Sequence, residues 1–98
     1  MPDYSLALPA DFDDYAPDLE AKGWFGDAVL IVSGRRFRLC FYDPVRLAQE
    51  IESEFERGAE FFEPNLVVIP SITKQKMLLA AERLAGSKRL DQLLPEQS

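Results

Sequence analysis

The chain has 98 residues, of which 47% are hydrophobic and 11% aromatic, and carries a formal net charge of −6 at pH 7. This composition favours one globular domain over 1–98 rather than a disordered chain, and the acidic balance argues against nucleic acid and anionic membranes as direct partners. The single cysteine excludes an intramolecular disulfide, and no signal peptide or transmembrane run is recognisable, so we expect a soluble, cytoplasmic protein.

The negative charge is concentrated at the N-terminal end of the chain. Residues 1–27 contain seven acidic side chains against Lys22 alone, whereas residues 28–98 contain ten acids and ten bases. We therefore expect three parts: an acidic segment (1–27), an α+β core (28–94) and a frayed tail (95–98).

The acidic segment contains the stretch DFDDYAPDLE. Before it, Tyr4 to Leu8 fits a short strand or an extended arm. Pro9 and Pro17 bracket the acids and argue against one continuous helix, because proline lacks the N–H that a helix interior requires. We expect a loop with at most one helical turn.

A β-hairpin is predicted next. Asp27 to Val32 is rich in β-branched residues, Arg35 to Tyr42 alternates, and Gly34 between them suits a tight turn. One face of the second strand carries Phe37, Leu39 and Phe41, and the other carries Arg36, Arg38, Cys40 and Tyr42.

The segment after the hairpin has the signals of a helix. Asp43 suits the N-cap, Pro44 the first helical position and Gly58 the residue past the end. Its apolar residues fall on one stripe, which we expect to be buried: Leu47, Ala48, Ile51 and Phe55.

A strand and a second helix follow. The strand covers about Asn65 to Ile69, and its unbroken apolar run predicts burial on both faces, as in a central strand. The helix starts after Ser71 or Thr73 and stops at Gly86. Its predicted buried stripe is Met77, Leu78, Ala81, Leu84 and Ala85.

This element order predicts an α+β fold. We expect a small mixed β-sheet, made of the hairpin and a buried strand, with the two main helices packed on one face. Leu90, Leu93 and Leu94 allow a short third helix near the C-terminus.

The residue types give little support for catalysis. Histidine is absent, which removes the usual general base near neutral pH, and Cys40 in mid-strand fits a small buried hydrophobe better than a nucleophile. Asp11 and Asp13 have the spacing of a calcium loop, but Tyr15 and Ala16 break the pattern. We expect no enzyme activity, no metal and no cofactor.

A basic patch on the second hairpin strand offers one further interpretation. Arg35, Arg36 and Arg38, with Tyr42, could stack and hold nucleic-acid bases. Neutralisation by the acidic segment or by glutamates of the first predicted helix is the simpler interpretation in a chain of this charge.

The acidic segment is the candidate partner-binding surface. Its acids alternate with aromatic rings, and interface hot spots combine rings that fill pockets with charges that meet a partner's lysines and arginines. A solubilising loop explains the same acids. The candidate residues are Asp11, Phe12, Asp13, Asp14, Tyr15, Asp18 and Glu20.

The compact domain, the acids and aromatics of DFDDYAPDLE and the lack of a catalytic set resemble the small acidic bacterial immunity proteins of contact-dependent and other polymorphic toxin systems. The resemblance implies stoichiometric inhibition. The chain would bind a cognate toxin domain and cover a basic surface of that toxin, such as the phosphate-binding cleft of a nuclease. The candidate acids would then make the electrostatic contacts, with Phe12 and Tyr15 as anchors.

Three other classes remain open. A structural, adaptor or homo-oligomeric subunit would associate through apolar surface, and Leu79, Leu93 and Leu94 would mark that interface, including one in a homodimer. A phage-type inhibitor or DNA mimic would spread carboxylates over a whole face. An enzyme would have Glu50 and Glu54 as its first candidate residues.

Overall fold

The computed structural model describes residues 3–96, which form four strands, three α-helices and one 3₁₀ helix. The elements in chain order are β1 (Tyr4–Ala7), α1 (Phe12–Lys22), β2 (Trp24–Val32), β3 (Arg35–Tyr42), α2 (Pro44–Glu56), β4 (Leu66–Val68), α3 (Lys74–Ala85) and the 3₁₀ helix (Lys88–Gln92).

The strands form one mixed sheet in the order β1-β2-β3-β4. The pairs β1–β2 and β2–β3 are antiparallel, while β3 and β4 are parallel. The small α+β fold predicted from the sequence is confirmed. The hairpin is also confirmed, with Ser33 (φ 50°) and Gly34 (φ 83°) both in the left-handed region that a two-residue hairpin turn favours.

The core lies on one face of the sheet, beneath α1 and α3. Alternate residues of β2 and β3 point into it, as the two-residue period of a strand requires. Phe37 and Phe41 of β3 are fully buried there, together with Met77 of α3. The core also includes Phe12 and Leu19 of α1.

Helix α1 occupies the segment for which a loop was predicted. Phe12, Tyr15, Ala16 and Leu19 have the helical spacing i, i+3, i+4, i+7 and face the core. Pro17 lies inside the helix and is exposed. Because proline has no N–H, the helix lacks one backbone hydrogen bond, the one to the Asp13 carbonyl. Burial of the apolar face of α1 outweighs that loss.

Helix α2 differs from prediction in its packing. Its caps are as expected: the Asp43 carboxylate accepts a hydrogen bond from the Arg46 N–H at 2.7 Å, and Pro44 is the first helical residue. However, α2 has no buried residue and contributes nothing to the core. Leu47 and Ile51 are half-buried, whereas Phe55 is 64% exposed. The two helices on the core are therefore α1 and α3.

Strand β4 is an edge strand and not the central strand predicted. It pairs with β3 on one side only, and Val68 is 47% exposed. The unbroken apolar run has another cause: Ile69 and Ile72, just beyond the strand, enter the core. In α3, Thr73 provides the cap, and Leu78 is exposed while Met77, Ala81 and Ala85 are buried.

The C-terminal segment is tied to the sheet. The Glu96 N–H donates to the Arg36 carbonyl at 2.7 Å, so residues 95 and 96 do not form the predicted frayed tail, and 97–98 lie outside the described residues. Among residues 3–96, no helix is long and apolar enough to span a bilayer.

Candidate partner-binding surfaces

The outer face of α1 carries the acids singled out from the sequence. Asp13, Asp14, Asp18 and Glu20 are all exposed. None of them forms an ion pair with any residue between 3 and 96. The helix therefore holds four free carboxylates in a fixed arrangement, which we call the α1 acidic face.

Part of this acidity has a local structural role. Asp13 and Asp14 lie in the first turn of α1 and Lys22 in its last, so each charge opposes the nearer end of the helix dipole. Asp11 is the N-cap residue, although its side chain makes no capping hydrogen bond. Asp18 and Glu20 have no such role.

The two predicted aromatic anchors lie on the opposite side of α1. Phe12 is 4% exposed and packs edge-on against Phe25, with 5.4 Å between ring centroids. It is a core residue and is not available to a partner. Tyr15 is half-buried against the same two rings. Burial, with the nearby carboxylates of Asp11 and Asp27, raises the pKa of its hydroxyl.

The end of α1 meets the start of α2. Gly23 has a φ of +74° and its carbonyl accepts a hydrogen bond from the Asp43 N–H at 2.9 Å. A Cβ at Gly23 would lie 2.7 Å from an Asp43 carboxylate oxygen and 2.8 Å from Arg46 Cβ. This close approach fixes the first turn of α2 against the last turn of α1.

Two of the three arginines of β3, Arg36 and Arg38, are paired with acids, in part by the acidic segment as the simpler interpretation predicted, whereas Arg35 lies over the Phe37 ring. Arg38 pairs with Asp27 and Glu96, each at 3.4 Å, and Arg36 pairs with Glu96 at 3.3 Å. Asp27 belongs to the acidic segment, whereas Glu96 comes from the C-terminal end. The pairing lowers the free positive charge that Arg36 and Arg38 could offer to nucleic-acid phosphates.

A pocket of about 350 Å³ lies beside these arginines. Its wall includes Trp24 and Cys40, whose thiol accepts a hydrogen bond from the indole Nε1–H at 3.3 Å. Burial raises the pKa of the Cys40 thiol to about 11, with the indole hydrogen bond opposing the change. The thiol is therefore protonated near neutral pH, which makes it a poor nucleophile.

The raised pKa of Cys40 predicts a loss of stability at alkaline pH. The folded thiol keeps its proton up to about pH 11, while an unfolded thiol with the ordinary pKa of 9.0 releases it earlier. The stabilisation is thus complete below pH 9 and disappears as pH rises through 11. We expect urea unfolding from pH 8 to 11 to show a steeper loss in the native chain than in Cys40→Ala. Equal slopes would contradict the assignment to Cys40.

Two further surfaces were not identified as such from the sequence. The first, which we call the α2 outer face, consists of exposed residues on one stripe of α2: Val45, Ala48, Glu52, Phe55 and Glu56. The second, the α3–β4 groove, has a volume of about 500 Å³ and includes Val68, Leu79, Lys76, Arg83 and Arg89 in its lining.

Only some residues of these two surfaces could be predicted from the sequence. The sequence distinguishes Leu79, because this residue lies outside the predicted buried stripe of α3. In the structure Leu79 lines the groove and is 41% exposed. No pattern in the sequence predicts that Phe55 is exposed, because this residue continues an apolar helical stripe of the kind that normally packs on a core. Leu93 packs against the core and Leu94 lines the Cys40 pocket.

No group of three or more potential metal ligands occurs within residues 3–96. Comparison of the chain with protein-family models, with curated proteins and with solved structures gives no match.

Proposed function

We propose that this chain is a non-catalytic inhibitor that neutralises a cognate bacterial toxin in the cytoplasm by stoichiometric binding, as immunity proteins do. The observation that carries the proposal is the α1 acidic face, with four exposed carboxylates that no cation within residues 3–96 neutralises. A partner with a basic surface, such as a nuclease domain, is the complementary class.

The mechanism relies on electrostatic attraction to a rigid surface. A helix that is anchored in the core by Phe12 and Leu19 presents its acids without any further ordering, so binding costs little conformational entropy. Complementary charge accelerates encounter, and carboxylates that occupy phosphate-binding positions exclude the toxin's substrate. In this arrangement the contacts with the toxin are made by the α1 acidic face, that is by Asp13, Asp14, Asp18 and Glu20. Asp11 adds to the negative electrostatic potential around that face.

The proposal predicts a salt-sensitive complex that depends on the α1 acidic face. We expect Asp13→Asn/Asp14→Asn/Asp18→Asn to raise the Kd for the toxin by about tenfold or more, mainly by slowing association. The experiment captures a basic partner from the native host at low salt and elutes it at high salt. Purified partner and chain are then titrated for 1:1 loss of the toxin's activity.

A matched control separates position from net charge. Glu52→Gln/Glu56→Gln/Glu60→Gln removes three charges in and just after α2 and should leave the Kd nearly unchanged. Circular dichroism confirms that both variants are folded. A partner that is captured but never inhibited, or a Kd that the α1 variant does not change, would refute the inhibitor proposal.

A second candidate function is a structural, adaptor or homo-oligomeric subunit. The observation in its favour is the exposure of large apolar side chains outside α1: Val45 (68%) and Phe55 (64%) on the α2 outer face, and Phe62 (78%) in the loop that follows. Exposed apolar residues that share a surface mark association sites more often than isolated ones do.

A further inference from the structure

The α2 outer face and the α3–β4 groove are complementary in charge. Both are apolar, and neither is covered by any part of the chain between residues 3 and 96. One is the convex side of an acidic helix, and the other is a concave groove with basic residues. Each therefore has the properties that the other would need in a partner.

The free charges of α2 lie beside its exposed ring. Arg46 pairs with Glu50, and Arg57 with Glu54, so these charges are already balanced. Glu52 and Glu56 form no ion pair within residues 3–96, and both lie on the α2 outer face with Phe55. The face is thus an apolar stripe with two free negative charges.

The free charges of the groove are of the opposite sign. Lys76, Arg83 and Arg89 lie in its lining, and none pairs with an acid among the described residues. Lys76 and Arg83 lie seven positions apart on α3, and Leu79 lies between them on the same side of the helix. The floor of the groove includes Val67 and Ile69, so it combines apolar area with three cations.

We propose that the α2 outer face of one copy binds in the α3–β4 groove of a second copy. Phe55 would contact the apolar floor, while Glu52 and Glu56 would meet the cations of the groove. A contact of either surface with its own copy is disfavoured, because it would bring two acidic faces or two basic grooves together at a cost in like-charge repulsion. The contact of α2 with the groove is the self-association in which both surfaces meet opposite charge.

The two helices that would lie side by side in this contact are similar in length. Helix α2 has 13 residues and α3 has 12, so both are about 20 Å long at 1.5 Å per residue. A contact of this size belongs to the small, transient class of interfaces. A single contact of this kind between successive copies leads to rings or open chains, and two reciprocal contacts give a closed two-fold dimer.

The test uses charge reversal on each surface. Sedimentation of the native chain up to about 1 mM should show concentration-dependent association that high salt weakens. Glu52→Lys/Glu56→Lys gives an α2 outer face that is basic like the groove. Lys76→Glu/Arg83→Glu gives a groove that is acidic like α2. Each variant alone should associate at least about tenfold more weakly than the native chain.

An equimolar mixture of the two variants distinguishes the mode of contact. In the mixture, the basic α2 of the first variant can bind the acidic groove of the second, and the acidic α2 of the second can bind the basic groove of the first. We therefore expect association to return to the native level. Restoration also shows that both variants fold. Asp18→Lys/Glu20→Lys changes the net charge on α1 by the same amount as the α2 variant and should self-associate like the native chain.

Three results would overturn the proposal. They are a native chain that stays monomeric at about 1 mM, reversal variants that associate as well as the native chain, and a mixture that does not recover. The self-contact uses no residue of the α1 acidic face, so its failure leaves the inhibitor proposal intact, and failure of toxin binding leaves the self-contact intact.

Discussion

Gly23→Ala is expected to destabilise the fold by about 2 to 4 kcal/mol. The left-handed backbone at Gly23 costs a residue with a Cβ about 1 to 2 kcal/mol. The added methyl group would also lie 2.7 and 2.8 Å from the Asp43 carboxylate oxygens. Those oxygens must move, and a lost N-cap costs about 0.5 to 2 kcal/mol more. The free energy of unfolding in urea measures the total.

Gly34→Ala provides the matched control for this effect. Gly34 has a similar φ of +83°, but a Cβ there would meet nothing within 4 Å. This variant should therefore lose only the backbone part of the free energy of unfolding, about 1 to 2 kcal/mol. Equal losses at the two positions would show that the contact between α1 and α2 is not tight, and would contradict the geometry at the Asp43 cap.

Asn65→Ala is expected to destabilise the fold by about 2 to 4 kcal/mol and to release the C-terminal segment. The Asn65 amide nitrogen donates to the carbonyls of Arg38 and Leu94 at 3.0 and 2.8 Å, and its oxygen accepts from the Leu94 N–H at 2.8 Å. Its φ of 55° is tolerated by asparagine better than by alanine.

The release has a chemical readout at Cys40. Leu94, Pro95 and Glu96 line the pocket that contains this thiol, so freeing them should increase its rate of modification by a thiol reagent. Asn65→Gly keeps the backbone conformation and removes the hydrogen bonds, so it should show the same faster modification. A rate unchanged in both variants would mean that Asn65 does not hold the segment in place.

The features predictable from the sequence were those set by local chemistry. Asp43, Pro44 and Thr73 mark helix starts because capping depends on neighbouring residues only. The alternation of β3 and the turn glycine Gly34 define the hairpin in the same way. These elements lie where the sequence placed them, to within a few residues at their ends.

Helix α1 was not predicted because a local rule was outweighed by tertiary packing. Pro17 disfavours a helix interior, and the cost is fixed by the residue itself. The compensating gain comes from burying Phe12 and Leu19 against strands that are distant in the sequence. For the candidate surface, this means that the exposure of the acids was predictable, whereas their arrangement on a helix and the inward direction of Phe12 were not.

The exposed surfaces depend on which elements become neighbours, and composition does not determine this. An apolar stripe such as that of α2 has the same pattern whether it packs on a core or remains exposed. An apolar run such as that of β4 is equally consistent with a central strand and with an edge strand next to a groove. Assigning the α2 outer face therefore required the topology.

The absence of buried residues in α2 also affects its local stability. A helix of 13 residues is marginal on its own in water, and α2 gains little from tertiary burial to compensate. Its main supports are the Asp43 cap, the contact at Gly23 and two ion pairs within or just after the helix. Opening of α2 therefore costs less free energy than opening of the sheet, so we expect the amides of α2 to exchange faster than those of the sheet. A partner that binds only folded α2 would raise the protection of its amides without changing the core.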